Sequence, residues 1–125
     1  MKKIISTSEA PQAIGPYSQA VLARGVLYTA GQIAIVPETG EIKLSNIHSE
    51  THQVMKNLKG VLAAAKMNFS NVVKSTIFLK DMAQYAAINE VYSEYFSEKP
   101  PAREAVQVSQ LPKNVNIEIS LIAVL

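Results

Sequence analysis

Two stretches of the chain place apolar residues at the spacing of an amphipathic helix. Within residues 48–66 the apolar positions recur at intervals that fall on one helical face, and they are Val54, Leu58, Val61, Leu62 and Ala65. A second set repeats this pattern, and it consists of Tyr85, Ile88, Val91, Tyr92 and Tyr95. Asp81 with Gln84 three residues later resembles a capping box before the second helix, and Pro100-Pro101 prevents its continuation.

Strand patterns surround these helices. Residues 72–79 are rich in β-branched side chains, and the chain alternates between apolar and polar positions towards its end. The predicted strands cover residues 3–6, 18–23, 26–35, 72–79, 102–109 and 115–123. The order β-β-β-α-β-α-β-β predicts a single α+β domain, residues 1–125, with two helices covering one face of a sheet.

The last predicted strand is apolar on both faces. Val115, Ile117 and Ile119 mark one face, whereas Ile122 and Val124 mark the other. Two helices cover only one side of a sheet, so a second element must bury the other side. The strand either lies centrally within one subunit or forms part of a self-association surface, and the pattern favours self-association.

Composition excludes several classes of protein. The formal net charge is only +2, and the longest basic run is Lys2-Lys3, which does not favour charge-driven binding of nucleic acid or membranes. The chain has no cysteine, so it has neither disulfides nor thiolate metal sites. Its N-terminus lacks the apolar core of a signal peptide, and the longest apolar run, Leu121–Leu125, cannot span a bilayer. A soluble, cytoplasmic protein is expected.

Arg103 and Glu118 are the charged residues whose positions invite a chemical interpretation. In an extended strand Arg103 points to the side opposite Val106 and Val108. Glu118 likewise points to the side opposite the apolar stripe of the last strand. If the two strands form a hairpin through LPKN and both stripes face one core, Arg103 and Glu118 share the opposite face. A cross-strand ion pair is the simpler interpretation. The alternative is an arginine that binds a substrate carboxylate beside a glutamate that moves protons.

Other candidate features are weaker. His48 and His52 lie four residues apart, but HSETH lacks the HExxH pattern and no third ligand is indicated, so no metal site is predicted. Gly15-Pro16 predicts a rigid turn that presents Tyr17. Gly31 lies inside a strand pattern, where glycine marks a bulge or the close approach of another group.

Five segments together resemble the Rid family of enamine/imine deaminases, also called the YjgF/UK family. They are AIGPYSQAV, YTAGQIA, KSTIFLKDM, PPAREAVQV and LPKNVNIEISLIAV, and the resemblance runs from Ser6 to Val124. It implies a chorismate-mutase-like fold with a mixed sheet, assembled as a homotrimer with three clefts between subunits. It also implies cofactor-free hydrolysis of small carboxylate-bearing enamines and imines, such as 2-aminoacrylate, to 2-keto acids and ammonia.

The resemblance also implies roles for individual residues. Arg103 of the PAR motif is expected to bind the substrate carboxylate, with cleft water as its partner when empty, and Glu118 to position or activate the attacking water. Tyr17 is expected to line the cleft, the loop around Gly31 to provide backbone contacts, and Asn89 to border the pocket.

Two positions depart from the family pattern. Many members carry serine at Ala30 and cysteine at Ala105, so this chain lacks that hydroxyl contact and any thiol chemistry there. The same fold and cleft are also compatible with a non-catalytic metabolite-binding or regulatory module. An endoribonuclease activity, attributed to some relatives, has little support from the near-neutral charge.

Overall fold

Six strands form one sheet in the order β1-β2-β3-β6-β4-β5, and two helices pack on one of its faces. The computed structural model describes residues 1–125. The strands are β1 (Lys2–Ile5), β2 (Ala20–Ala23), β3 (Val26–Thr29), β4 (Val72–Leu79), β5 (Ala102–Gln107) and β6 (Ile117–Val124), and the helices are α1 (Ile47–Ala64) and α2 (Tyr85–Tyr95). The predicted α+β architecture is confirmed.

The sheet is mixed because β4 and β5 run parallel, whereas all other neighbouring strands are antiparallel. A parallel pair needs a crossover connection, and α2 provides it. β6 then inserts between β3 and β4 instead of pairing with β5. The predicted β5–β6 hairpin is therefore wrong, and β6 occupies the centre of the sheet.

The core lies between the helices and the sheet. The predicted apolar face of α1 is buried, including Val54, Leu58 and Leu62, and β6 contributes Ile117 and Ile119 from the sheet. The first helix begins at its Asn46 cap, whose side-chain oxygen accepts a hydrogen bond from the Ser49 N–H at 2.8 Å. In α2 the predicted face contributes Ile88, Val91 and Tyr92. The helical periodicities thus identify the core correctly.

The segment after β3 does not continue as the predicted strand through Ile35. β3 ends at Thr29, and beyond it only Gln32 pairs with β6, through two backbone hydrogen bonds with Ile119 of 2.8 and 3.1 Å. A bridge between Ile35 and Ile42 closes the following loop. Residues 30–35, here called the 30–35 segment, are apolar because they form the wall of a cleft, not because they extend the sheet.

The face of the sheet opposite the helices carries exposed apolar side chains. Ile122 and Val124 point to this uncovered face, as the two-sided apolar pattern of the last strand predicts. Tyr28 beside them is 50% exposed, and Val106 on β5 is 44% exposed. Large exposed apolar surfaces usually mark an interface. Neither helix is long and apolar enough to cross a membrane.

Candidate active site: two half-sites on opposite faces

Two concave surfaces contain the predicted site residues. The larger, a cavity of about 570 Å³ here called the Glu118 cleft, is lined by Tyr17, Ala30, Gly31 and Glu118 among others. The second, of about 420 Å³ and here called the Arg103 pocket, is lined by Arg103 and Asn89 with neighbouring α2 residues. The six predicted residues therefore form two groups, and each cavity is one half of the candidate site.

The two half-sites lie on opposite faces of the sheet. Arg103 is in register with Ser75, a fully buried residue that is hydrogen-bonded to Tyr92 of α2. Glu118 alternates with the buried Ile117 and Ile119 and so points away from the helices. β4 separates their strands by roughly 10 Å.

The prediction that Arg103 and Glu118 share a face is wrong. It assumed that Val106 faces the core, whereas this side chain points to the uncovered face and Ala105 packs against the core instead. Glu104, on the same side of β5 as Val106, pairs with Lys74 at 3.0 Å. Arg103 takes part in none of the ion pairs, so the cross-strand pair with Glu118 does not form.

Arg103 is held against the surface of α2. One terminal nitrogen, Nη1, donates a hydrogen bond to Asn89 Oδ1 at 2.6 Å, and Nη2 donates to the Tyr85 hydroxyl. The guanidinium carbon lies 4.9 Å from the centroid of the Tyr92 ring and 5.5 Å from that of Tyr85. Two side chains, Asn89 and Tyr85, are therefore hydrogen-bond partners of Arg103. The remaining N–H donors stay available for an anion, which a guanidinium binds with two parallel hydrogen bonds.

Tyr92 is well suited to lie beneath this cation. Burial raises the pKa of the Tyr92 phenol, while its 2.5 Å hydrogen bond with Ser75 and the nearby Arg103 act in the opposite direction. The phenol therefore remains neutral at ordinary pH and offers its ring face to the guanidinium. Such cation–π contacts contribute about 0.5–1 kcal/mol at exposed sites, so Tyr92 stabilises the position of Arg103 without neutralising its charge.

Glu118 lies directly against the backbone of Gly31. A Cβ atom at Gly31 would be 2.5 Å from Glu118 Oε2 and 2.9 Å from its Cγ, closer than such atoms can approach. The absence of a side chain at Gly31 is what gives the carboxylate its place, and the predicted close approach of another group to this glycine is confirmed. Burial raises the pKa of the Glu118 carboxyl, and no ion pair of the chain opposes this effect. A raised pKa favours proton exchange closer to neutral pH.

Comparisons with known proteins agree with this fold. The family model described as Endoribonuclease L-PSP matches residues 7–125. A RutC family protein of Pyrococcus horikoshii is 54% identical over 123 residues, 98% of both chains. A 2-iminobutanoate/2-iminopropanoate deaminase of Rattus norvegicus is 47% identical, covering 99% of this chain and 90% of the relative. A Rid protein of unknown function from Yersinia pestis has a TM-score of 0.96 at 42% identity, with complete coverage of both chains. This chain belongs to the Rid family.

The Rid fold places Tyr17 at the mouth of the Glu118 cleft. The Tyr17 N–H donates to the Gly15 carbonyl at 2.9 Å, and Gly15 has a φ of 124°, a value that favours glycine. This turn leaves the tyrosine ring 55% exposed, so it is presented to solvent as the Gly-Pro-Tyr sequence predicts. Ala30 and Gly31 follow on the opposite wall.

Gln19 is a structural residue of this Rid protein that the sequence reasoning missed. Its buried amide accepts a hydrogen bond from the Thr7 N–H and donates to the carbonyls of Thr7 and Pro11, with a longer contact to Ala10. Its backbone carbonyl also accepts the Ala30 N–H at 2.9 Å. One side chain thus fixes the N-terminal wall of the cleft. A single glutamine in a predicted strand gave no signal of this role.

Lys113 adds a cation to the Glu118 cleft that the sequence did not single out. It lies in the LPKN connection with a φ of 54°, and Asn114 beside it has a φ of 55°. Two successive non-glycine residues in this region are unusual and strained. The connection does not join a β5–β6 hairpin, because β6 pairs with β3 and β4.

The two histidines face α2 instead of each other. His48 Nε2 lies 3.9 Å from Glu90 Oε2, and His52 Nε2 lies 3.9 Å from Glu94 Oε2. His52 Nδ1 is also 2.8 Å from the Tyr95 hydroxyl. No group of three or more His, Cys, Asp or Glu side chains has an arrangement that could hold a metal ion. These contacts connect the two helices.

Proposed function

We propose that this Rid protein hydrolyses small carboxylate-bearing imines and enamines, such as 2-aminoacrylate, to 2-keto acids and ammonia. The observation that carries the proposal is the Arg103 guanidinium, which lies in an open pocket with unused donors and no carboxylate partner. A cation held in this way fits a small carboxylate. The imine deaminase name of the rat relative supports the same substrate class.

The reaction needs few groups and no cofactor. Arg103 binds the carboxylate, and an enamine first takes a proton on carbon to become an iminium ion. Glu118 accepts a proton from water while the water oxygen bonds to the iminium carbon, giving a carbinolamine. The proton on carbon comes from solvent water. Glu118 then passes its proton to the carbinolamine nitrogen, the C–N bond breaks and ammonia leaves, while the hydroxyl gives its proton back to the Glu118 carboxylate or to water as the carbonyl forms. Proton transfer by one positioned side chain contributes a factor of about 100–10,000 to such rates.

The complete site is proposed to form between copies of the chain. Within one chain Arg103 and Glu118 face opposite sides of the sheet, so one small substrate cannot contact both. A second copy packed on the uncovered face, which includes Tyr28 and Ile122, would bury that apolar surface and bring its Arg103 to the Glu118 cleft. β5 is an edge strand, which leaves the Arg103 pocket accessible to a neighbour. We propose the closed homotrimer with three such clefts.

Two alternative functions account for fewer features of the site. A metabolite-binding or regulatory module needs Arg103 but has no use for a glutamate whose burial raises its pKa. The family model carries an endoribonuclease description, but a net charge of +2 gives little attraction for a polyanion. The cytoplasmic location stays a prediction from the sequence.

The direct test is keto-acid formation from freshly generated 2-aminoacrylate, measured against the spontaneous rate. We expect the native protein to accelerate the reaction and Arg103→Ala to lose at least about 30-fold in kcat/KM, because losing a charged hydrogen-bond partner costs about 2–5 kcal/mol. Lys74→Ala is a matched control, since it also removes one positive charge but affects only the ion pair with Glu104.

Either of two results would contradict the proposal. Equal rates for the native protein and Arg103→Ala would remove the carboxylate anchor. No acceleration by the native protein would overturn the deaminase and favour the binding module.

The pH dependence of Glu118→Gln gives a second prediction. The native rate should fall as pH decreases through the raised pKa of Glu118, whereas the variant should be about 100-fold slower or worse and lack this acidic limb. Folding favours the protonated carboxyl, so the contribution of Glu118 to stability is lost as pH rises through its folded-state pKa. In dissociated chains, where no Arg103 of a neighbouring copy faces the carboxylate, Glu118→Gln should therefore have the higher Tm at neutral pH and approach the native Tm in acid.

Thermal melts and initial rates between pH 4 and 9 check this expectation. The matched control is Glu38→Gln, at an exposed position, which should change neither quantity. A native acidic limb in Glu118→Gln would show that another group titrates.

A further inference from the structure

Two buried amide side chains of α1 lie behind the Glu118 cleft, and the proposed chemistry uses neither. Asn57 is fully buried, and its Nδ2 donates hydrogen bonds to the carbonyls of Ile33 at 3.1 Å and Ile35 at 2.9 Å. Its Oδ1 accepts a hydrogen bond from Gln53 Nε2 at 3.0 Å. Both side-chain N–H groups of Asn57 therefore donate to backbone carbonyls of the 30–35 segment.

The 30–35 segment depends on these contacts. It forms a wall of the Glu118 cleft but pairs with the sheet only through Gln32 and Ile119. Backbone carbonyls that lack strand partners need another donor when they are buried. Asn57 is the donor to the Ile35 carbonyl, and it is a second donor to the Ile33 carbonyl, which also accepts the Ile35 N–H at 2.8 Å. The segment is thus held from the helix layer by Asn57 and from β6 by Ile119. Two further backbone hydrogen bonds hold it, from the Ala30 N–H to the Gln19 carbonyl at 2.9 Å and from the Lys43 N–H to the Ala34 carbonyl at 2.8 Å.

Glu118 immediately precedes Ile119 on β6, and its side chain contacts Gly31 of the 30–35 segment. The Glu118 carboxylate occupies the space that a Cβ at Gly31 would take, so a movement of the segment moves the Gly31 backbone relative to the carboxylate. The two hydrogen bonds from Asn57 therefore act on the environment of Glu118 through the backbone.

We propose that Asn57 is a positioning residue of the Glu118 cleft: it fixes the 30–35 segment against the Glu118 carboxylate without touching the substrate. Gln53 has an auxiliary part, since it orients the Asn57 amide so that both N–H groups point at the segment. The activity readout of this inference rests on the proposed deaminase function, whereas the placement of the Glu118 carboxylate can be measured without it.

The test compares Asn57→Ala with Thr51→Val. Thr51 lies on the same helix and is also fully buried, but its hydroxyl donates only to the Ile47 carbonyl within α1. Both variants should lose stability. We expect Asn57→Ala alone to lower kcat by about 10- to 100-fold with little change in KM, because the carboxylate anchor at Arg103 is untouched.

A second readout is the titration of the Glu118 carboxyl, followed by NMR in protein labelled with ¹³C-glutamate. In Asn57→Ala its pKa should move from the raised native value towards that of an ordinary glutamate, while Thr51→Val should titrate as the native protein does. This measurement remains decisive if the native protein proves not to be a deaminase, so failure of the two proposals can be told apart.

A milder variant keeps the test open if Asn57→Ala does not fold. Gln53→Leu leaves both N–H groups of Asn57 in place but removes the donor to its oxygen, and it should give an intermediate shift in the Glu118 titration. A native Glu118 titration in the folded variant, with stability lowered as in Thr51→Val, would overturn the positioning role.

Discussion

Mixing two inactive variants, Arg103→Ala and Glu118→Gln, is expected to restore deaminase activity. The reason is that Arg103 and Glu118 point to opposite faces of one chain, so the proposed cleft combines the arginine of one copy with the glutamate of the next. In a cyclic trimer that contains both variants, one of the three clefts joins two intact residues. Random exchange of equal amounts should therefore complete about one quarter of all clefts.

The experiment needs hybrids of known composition. The two variants carry different affinity tags, are unfolded and refolded together, and the mass of each assembly is determined by native mass spectrometry before the rate of keto-acid formation is measured. The control mixes Arg103→Ala with the double variant Arg103→Ala/Glu118→Gln, which has no intact arginine and should stay inactive. Verified hybrids without activity would show that the two residues do not meet between copies.

Replacing Gly31 by alanine should have the second large effect. The added Cβ would occupy the space of the Glu118 carboxylate, 2.5 Å from Oε2 and 2.7 Å from Cδ, so the carboxylate has to move. A displacement of this size at a proton-transfer group costs about 100-fold in rate. We expect kcat to fall by that factor, while a 2-keto acid that binds Arg103 inhibits the variant and the native protein alike.

Ala30→Ser is the matched control, because it adds an atom to the neighbouring residue of the same segment and restores the hydroxyl that many relatives carry. It should keep kcat while changing the preference among substrates. Steady-state kinetics with two imines of different side-chain size distinguish these effects. A native kcat in Gly31→Ala would show that contact with Gly31 does not determine where Glu118 acts.

The helices could be predicted from the sequence because their information is local. The apolar periodicity of α1 identified buried positions such as Val54 and Leu58, and these fill the core. The order of the strands could not be predicted in this way, because pairing depends on residues far apart in sequence. The LPKN connection was compatible with a hairpin, yet β6 pairs with β3 and β4 and not with β5.

The candidate site could also be predicted only in part. Resemblance predicted which residues form the site, but not that Arg103 faces the helices. An arginine was not expected there because its charge opposes burial, but its stem and guanidinium pack on Tyr85 and Tyr92 while its nitrogens find hydrogen-bond partners. Asn57 did leave a signal, since it lies within the apolar face between Val54 and Val61, where a polar residue needs a buried partner.

The separation of Arg103 and Glu118 on one chain also has a genetic consequence. In the proposed trimer each copy would give its arginine to one cleft and its glutamate to another, so a defective copy would disable only the clefts to which it contributes the altered residue. When native and Arg103→Ala chains are made in equal amounts, about half of all clefts remain complete, whatever the mixture within each trimer. Loss of activity should therefore follow gene dosage, and such an allele should be recessive wherever half the activity suffices.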